Sequence, residues 1–173
     1  MIEEIKQSIR TVPDFPKKGI QFKDLTTAWK NPVYFRYIIE HFYEKYKSGN
    51  ITKVVGIEAR GFVVGAALAY KLNAGFVPIR KPGKLPAESS CVEYELEYGV
   101  NKIELHNDAL TPGDNVLIHD DLLATGGTVA ASLVLVKKFK VKDIKFSFIT
   151  ELDFLNGRSK IDKQYDIYSM IHF

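Results

Sequence analysis

Cysteine is nearly missing from this chain of 173 residues: Cys91 stands alone, so no intrachain disulfide framework can form and a reducing compartment is the natural setting. Long apolar runs are missing too. No stretch approaches the ~20 residues needed to span a bilayer. Residues 1–10 carry Glu3 and Glu4 and no apolar segment of the secretory type. The expectation is a cytoplasmic protein with no membrane partner. There is also no basic cluster or tail, because the net charge of +3 is spread along the chain among interleaved acids. That argues against nucleic acid as a partner and suits an anionic small substrate equally well. Nor does any repeat, linker or low-complexity segment divide the chain. One domain over residues 1–173 is expected, since 46% hydrophobic and 26% charged residues make an ordinary globular profile.

What is present alternates between two periodicities. Ile2, Ile5 and Ile9 share one helical face. Residues 11–19 hold two prolines and a glycine and are expected to form a loop. Phe35, Ile38, Ile39, Phe42 and Tyr46 mark a second amphipathic helix, entered through Asn31-Pro32. Residues 54–57 and 75–79 read as buried strands around a small-residue helix at 61–72. A polar stretch at 80–90 precedes two paired strands at 92–96 and 102–105. Then come a turn at 111–114, a strand at 115–119, a helix at 127–139, a strand at 144–149 and an edge strand at 165–171. Strands alternating with helices predict an α/β fold: a mostly parallel twisted sheet flanked by helices. Ligands in such folds bind beyond the carboxyl ends of the strands, so chemistry is sought there.

Asp120 and Asp121 end the apolar run Val116-Leu117-Ile118. Adjacent side chains on a strand point to opposite faces, but at its carboxyl end both can turn into one crevice. The plainer alternative is a helix cap with a solvated neighbour. Ala124-Thr125-Gly126-Gly127-Thr128 follows, free of bulk at the mouth of a helix, where N–H groups, hydroxyls and the helix dipole converge. That is an anion site suited to a phosphate monoester. It lacks the lysine of a Walker loop and the spacing of a dinucleotide fingerprint. Carboxylates beside a phosphate cradle must address another part of the ligand, and vicinal hydroxyls would accept that role. A ribose phosphate meets both demands.

The segment Val116-Leu117-Ile118-His119-Asp120-Asp121-Leu122-Leu123-Ala124-Thr125-Gly126-Gly127-Thr128 resembles the phosphoribosyl-pyrophosphate (PRPP) signature of the type I phosphoribosyltransferases, most closely their adenine-specific branch. The likeness extends along nearly the whole chain. It implies a small N-terminal hood within residues 1–30 and a mobile β-loop at about 81–100. It implies conversion of adenine and PRPP to AMP and pyrophosphate, a purine-salvage step with an oxocarbenium-like transition state and loop closure over the site. Magnesium, held mainly by substrate oxygens and water, and a homodimer are implied as well.

By the same resemblance Asp120 and Asp121 hold the ribose hydroxyls, and residues Ala124, Thr125, Gly126, Gly127 and Thr128 hold the sugar phosphate. Arg60, within Glu58-Ala59-Arg60-Gly61-Phe62, would meet pyrophosphate together with Arg80, Lys81 and Lys84; a cap and surface ion pair, or a solvated loop, are the plain alternatives. Pro82 stands where the family usually has a basic residue. Glu97, before Tyr98-Gly99, would carry the proton of the base, although Glu93 and Glu95 allow a simple charged strand face. Phe22 and Leu122 would sandwich the base, with the Gln21 main chain reading its edge; Lys23 replaces an arginine common in the family. His119 is expected to be a packing residue, and His41, His106 and His172 have no spacing suggestive of a metal or triad. Cys91 receives no role. Two rivals remain: an oxopurine transferase, and a regulator that kept the fold to sense PRPP and bind RNA or DNA.

Overall fold

The computed structural model describes residues 1–96 and 99–173. Five parallel strands form its sheet: β3 (Lys53–Ile57), β4 (Gly75–Ile79), β7 (Asn115–Leu123), β8 (Asp143–Glu151) and β9 (Asp166–His172), in the order β4-β3-β7-β8-β9. Two antiparallel hairpins stand apart from it: β1 (Arg10–Pro13) with β2 (Gln21–Asp24), and β5 (Ser89–Leu96) with β6 (Gly99–His106). The helices are α1 (Ile2–Ser8), α2 (Thr26–Trp29), α3 (Pro32–Tyr46), α4 (Gly61–Lys71) and α5 (Gly127–Lys137). Among the described residues no helix is long and apolar enough to cross a membrane.

Strand alternation divides the core in two. Val55, Val116, Ile118, Phe146 and Phe148 pack with Val129, Leu133 and Val136 of α5. Val54, Leu117 and Ile149 face the other way, onto Ile38 and Phe42 of α3 and Val64 and Leu68 of α4. Burying each such side chain contributes roughly 1.5–3 kcal/mol, which makes β7, apolar on both faces, the axis of the fold. α3 begins where expected, with the Asn31 side chain accepting from the Val33 amide at 2.9 Å, a cap worth about 1 kcal/mol.

Two expectations need correction. Residues 11–13 belong to β1 rather than to a loop; Pro13 is tolerated there because it closes an edge strand. Arg10 clasps Asp24 across this hairpin, and the Thr26 hydroxyl and Arg10 together hold the Asp24 carboxyl down at about 2. The strand expected to stop at His119 runs on to Leu123, in register with β8 as far as Leu123 opposite Glu151.

Candidate active site

The extended β7 carries both acids. Asp120 lines a cavity of about 470 Å³. Asp121, 2% exposed, meets the Arg60 guanidinium instead, with Nε 3.0 Å from Oδ2. Asp120 lines the cavity and Asp121 does not, although the two carboxyl groups remain close enough to hydrogen-bond. Burial pushes the Asp120 carboxyl well above its ordinary range, and the neighbouring Asp121 charge pushes the same way. Burial also raises Asp121, with Arg60 pulling it back. A lone negative charge is poorly placed on Asp120, and donors such as hydroxyl groups would relieve it.

The same cavity is lined by Thr128 of α5, Tyr94 of β5, and Arg80 and Lys81 beyond β4. Glu58, at the end of β3, accepts from Arg80 Nε at 3.0 Å and from the Lys81 amide at 2.7 Å. Arg80 is the chief reason that the Glu58 carboxyl lies below its usual range. Backbone hydrogen bonds in both directions between Arg80 and Glu104 of β6 fix the base of the β5–β6 hairpin. Asn101 and Lys102 of β6 also reach the cavity, which the sequence analysis missed: only the hairpin register brings them there.

Gly126 is the N-cap of α5, with φ +77°, a left-handed backbone that suits glycine. A Cβ on Gly126 would collide with the Gly157 carbonyl oxygen, and one on Gly157 with the Ala124 carbonyl oxygen. The loop of residues 124–128 is thus pressed backbone to backbone on a distant turn. Gly127 is buried, while Ala124, Thr125 and Thr128 keep partial exposure. The first amides of any α-helix lack intrahelical acceptors, so this entrance presents N–H donors, hydroxyls and the positive end of the dipole together. Gly61 supports the site from below, since a Cβ there would lie 2.8 Å from the His119 carbonyl oxygen and 3.0 Å from Asp120 Oδ1.

Other candidate residues are dispersed. Arg60 Nη1 donates to the Lys23 carbonyl at 3.3 Å, and its guanidinium covers the Phe22 ring at 4.7 Å; it is not in the cavity lining with Arg80. Lys84 is exposed and outside that lining. In the β1–β2 hairpin Gln21 is exposed and Phe22 meets Phe15 edge to face at 5.1 Å. The Lys23 ammonium donates to the Thr11 hydroxyl at 2.9 Å and sits over the Phe173 ring, so its main chain faces Arg60. Leu122 is half-buried on β7. Glu97 and Tyr98 lie outside the described residues. His119 is fully buried against Phe42, shares a 2.9 Å hydrogen bond with the Ser147 hydroxyl, and is pushed down to about 3 by burial. It is a neutral packing residue.

His172 does acquire acidic neighbours that its sequence position did not announce. Its Nδ1 is 2.8 Å from Asp153 and 4.0 Å from Glu151. Parallel pairing of β8 and β9 makes this group, and spacing along the chain could not reveal it. Glu151 is already engaged by Arg158 Nε at 2.7 and 2.9 Å and by the Ser169 hydroxyl at 2.5 Å. A cation there would compete with a guanidinium.

Comparison with known proteins decides the family. Residues 30–172 match the family model described as phosphoribosyl transferase domain. The adenine phosphoribosyltransferase of Pelobacter propionicus is 51% identical over 173 residues, all of both chains. The chain belongs to the adenine phosphoribosyltransferases. A crystal structure of the Thermoanaerobacter pseudethanolicus adenine phosphoribosyltransferase superposes with a TM-score of 0.96 at 52% identity, covering both chains completely. One from Giardia lamblia, complexed with 9-deazaadenine, gives a TM-score of 0.95 at 39% identity over 99% of this chain and 97% of that one. The family model starts at residue 30, and the N-terminal hairpin before it is covered by the full-length relatives.

Proposed function

We propose that this chain forms AMP and pyrophosphate from adenine and PRPP in the cytoplasm, as a purine-salvage glycosyltransferase working as a homodimer. The observation that carries the reading is one cavity bounded by the raised Asp120 carboxyl, the Thr128 hydroxyl at a glycine-opened helix entrance, and the Arg80 and Lys81 cations. Ribose hydroxyls donate to Asp120, the sugar phosphate takes the donors of residues 124–128, and the cations meet pyrophosphate.

The bond from the anomeric carbon to pyrophosphate breaks with its electron pair leaving on oxygen, and an adenine nitrogen forms the new bond to that carbon. Asp120 lies beside the positive charge that develops on the sugar, and the fixed phosphate holds the reacting carbon in place. Arg80 must release Glu58 to serve the leaving group, and Arg60 must release Asp121. Glu97 is the proposed acceptor of the adenine proton, with Tyr98 on the same loop, and Phe22 and Leu122 are the proposed walls for the base. Closure of the segment around 81–100 over the site excludes water from the sugar cation.

Magnesium fits this cavity sparingly. Glu58 is occupied by Arg80 and the Lys81 amide, which leaves Asp120 as the available carboxylate among the lining residues. That donor set suits a hard ion carried chiefly by pyrophosphate oxygens and water, where it would neutralise leaving-group charge. The homodimer reading is supported by the exposed apolar side chains of Val33 on α3 and Val63 and Tyr70 on α4; a monomeric mass in light scattering would count against it. The decisive assay is turnover with adenine, hypoxanthine and guanine separately, each with and without Mg²⁺. Adenine alone should react, in a metal-dependent way. Preference for an oxopurine, or PRPP binding with no turnover of any base, would overturn the assignment.

A further inference from the structure

Thr128, the second residue of α5, donates its hydroxyl proton to the phenol oxygen of Tyr94 in β5 at 3.1 Å. Both residues line the cavity. The tyrosine ring packs against the core cluster beneath α5. Lys138, just past the far end of that helix, donates to the Cys91 carbonyl at 3.1 Å, so β5 is held to α5 at two places. The phenol is therefore the polar tip of a ring fixed by packing.

A threonine hydroxyl has a single proton to give. While that proton is directed at Tyr94 it cannot serve a phosphate oxygen, and a bound phosphate in the 124–128 cradle requires it. The Tyr94 hydroxyl can exchange roles by turning its own hydrogen toward Thr128 Oγ1, which has lone pairs to accept it. The arrangement then runs from phenol O–H to threonine O–H to phosphate oxygen, each hydrogen bond polarising the next. No proton changes its owner; only the two hydroxyl rotors turn.

We propose that Tyr94 is a positioning residue for the sugar phosphate: its phenol orients the Thr128 hydroxyl and ties the β5–β6 hairpin to an occupied cradle. The inference rests on the reading that phosphate binds at residues 124–128. The test is steady-state kinetics of the full chain for Tyr94→Phe, Thr128→Val, Thr128→Ser and the Tyr94→Phe/Thr128→Val pair, varying PRPP and adenine separately. Tyr94→Phe keeps the ring and should raise the KM for PRPP about 3–10-fold while moving kcat and the KM for adenine less. Thr128→Val should raise the KM for PRPP at least as much, Thr128→Ser should restore it, and Tyr94→Phe should add nothing in the Thr128→Val background. An equal shift in both KM values, or a Tyr94→Phe effect undiminished without the Thr128 hydroxyl, would overturn the proposal. If Thr128→Val raises the KM for PRPP and Tyr94→Phe does not, the Tyr94 role alone fails. If Thr128→Val leaves it unchanged, the phosphate assignment fails too.

Discussion

Gly126 and Gly83 share a left-handed backbone, with φ of +77° and +74°, yet they stand in regions built on opposite plans. Around Gly126 the backbone is crowded by Gly157, the first turn of α5 follows at once, and the central strand of the sheet leads in. Around Gly83 a Cβ would meet nothing within 4 Å, and the local tie is an amide donated to the Glu104 carboxylate at 3.2 Å. The helix entrance at Gly126 is closely packed and leaves its backbone little room to move. The segment that brings Arg80 and Lys81 is held by polar contacts that a ligand can exchange. Under the proposed function both serve: the rigid entrance would grip the sugar phosphate, and the other side would trade internal ion pairs for substrate.

The sharpest break in that contrast is Asp120→Asn, which should lower turnover by roughly a thousandfold because a charge facing the developing cation is lost. It should also stabilise the fold. A carboxyl raised in the folded state contributes fully below the ordinary value near 3.8, and that contribution is lost as pH rises through the raised value. The Asn variant should therefore melt higher than the parent at neutral pH, and the gap should close toward pH 4, as thermal melts across that range would show.

Next in size is the glycine pair itself. Gly126→Ala should cost about 3 kcal/mol or more in urea unfolding, combining a left-handed penalty with a backbone collision. Gly83→Ala should cost only about 1–2 kcal/mol, the conformational penalty alone. Equal costs would erase the distinction between a crowded and an open site. Arg80→Gln should then reduce kcat/KM for PRPP about 10–100-fold with little change in melting temperature, since its partner Glu58 faces the cavity.

The smallest effect concerns the far side of β7. His119 is held neutral by burial, so its contribution to stability is full above the ordinary value of 6.5 and is lost as pH falls toward about 3. His119→Val should flatten the acid-side loss, a difference of roughly 4–8 °C near pH 5 in thermal melts. Turnover at neutral pH should be little changed.

Much of this was legible in the sequence because the elements that matter are local. Apolar strands, small-residue helices and the hydroxyl-rich glycine loop each announce themselves within a dozen residues, which is why the parallel sheet and the glycine-opened helix entrance were readable. The different surroundings of Asp120 and Asp121 were not, because Arg60 reaches Asp121 through a tertiary contact. Gly157, Tyr94 and Lys102 escaped for the same reason: each reaches the site through a contact or register distant along the chain. Arg60 could be singled out as a cation just past a strand, but its present partners, Asp121 and the Phe22 ring, are tertiary facts.

The resting place of the product's phosphate is the decisive observation. A crystal structure of the chain with AMP should show it within hydrogen-bonding distance of the 125–128 amides and the Thr128 hydroxyl, with the ribose hydroxyls on Asp120. AMP bound elsewhere, with that helix entrance free of phosphate, would contradict it.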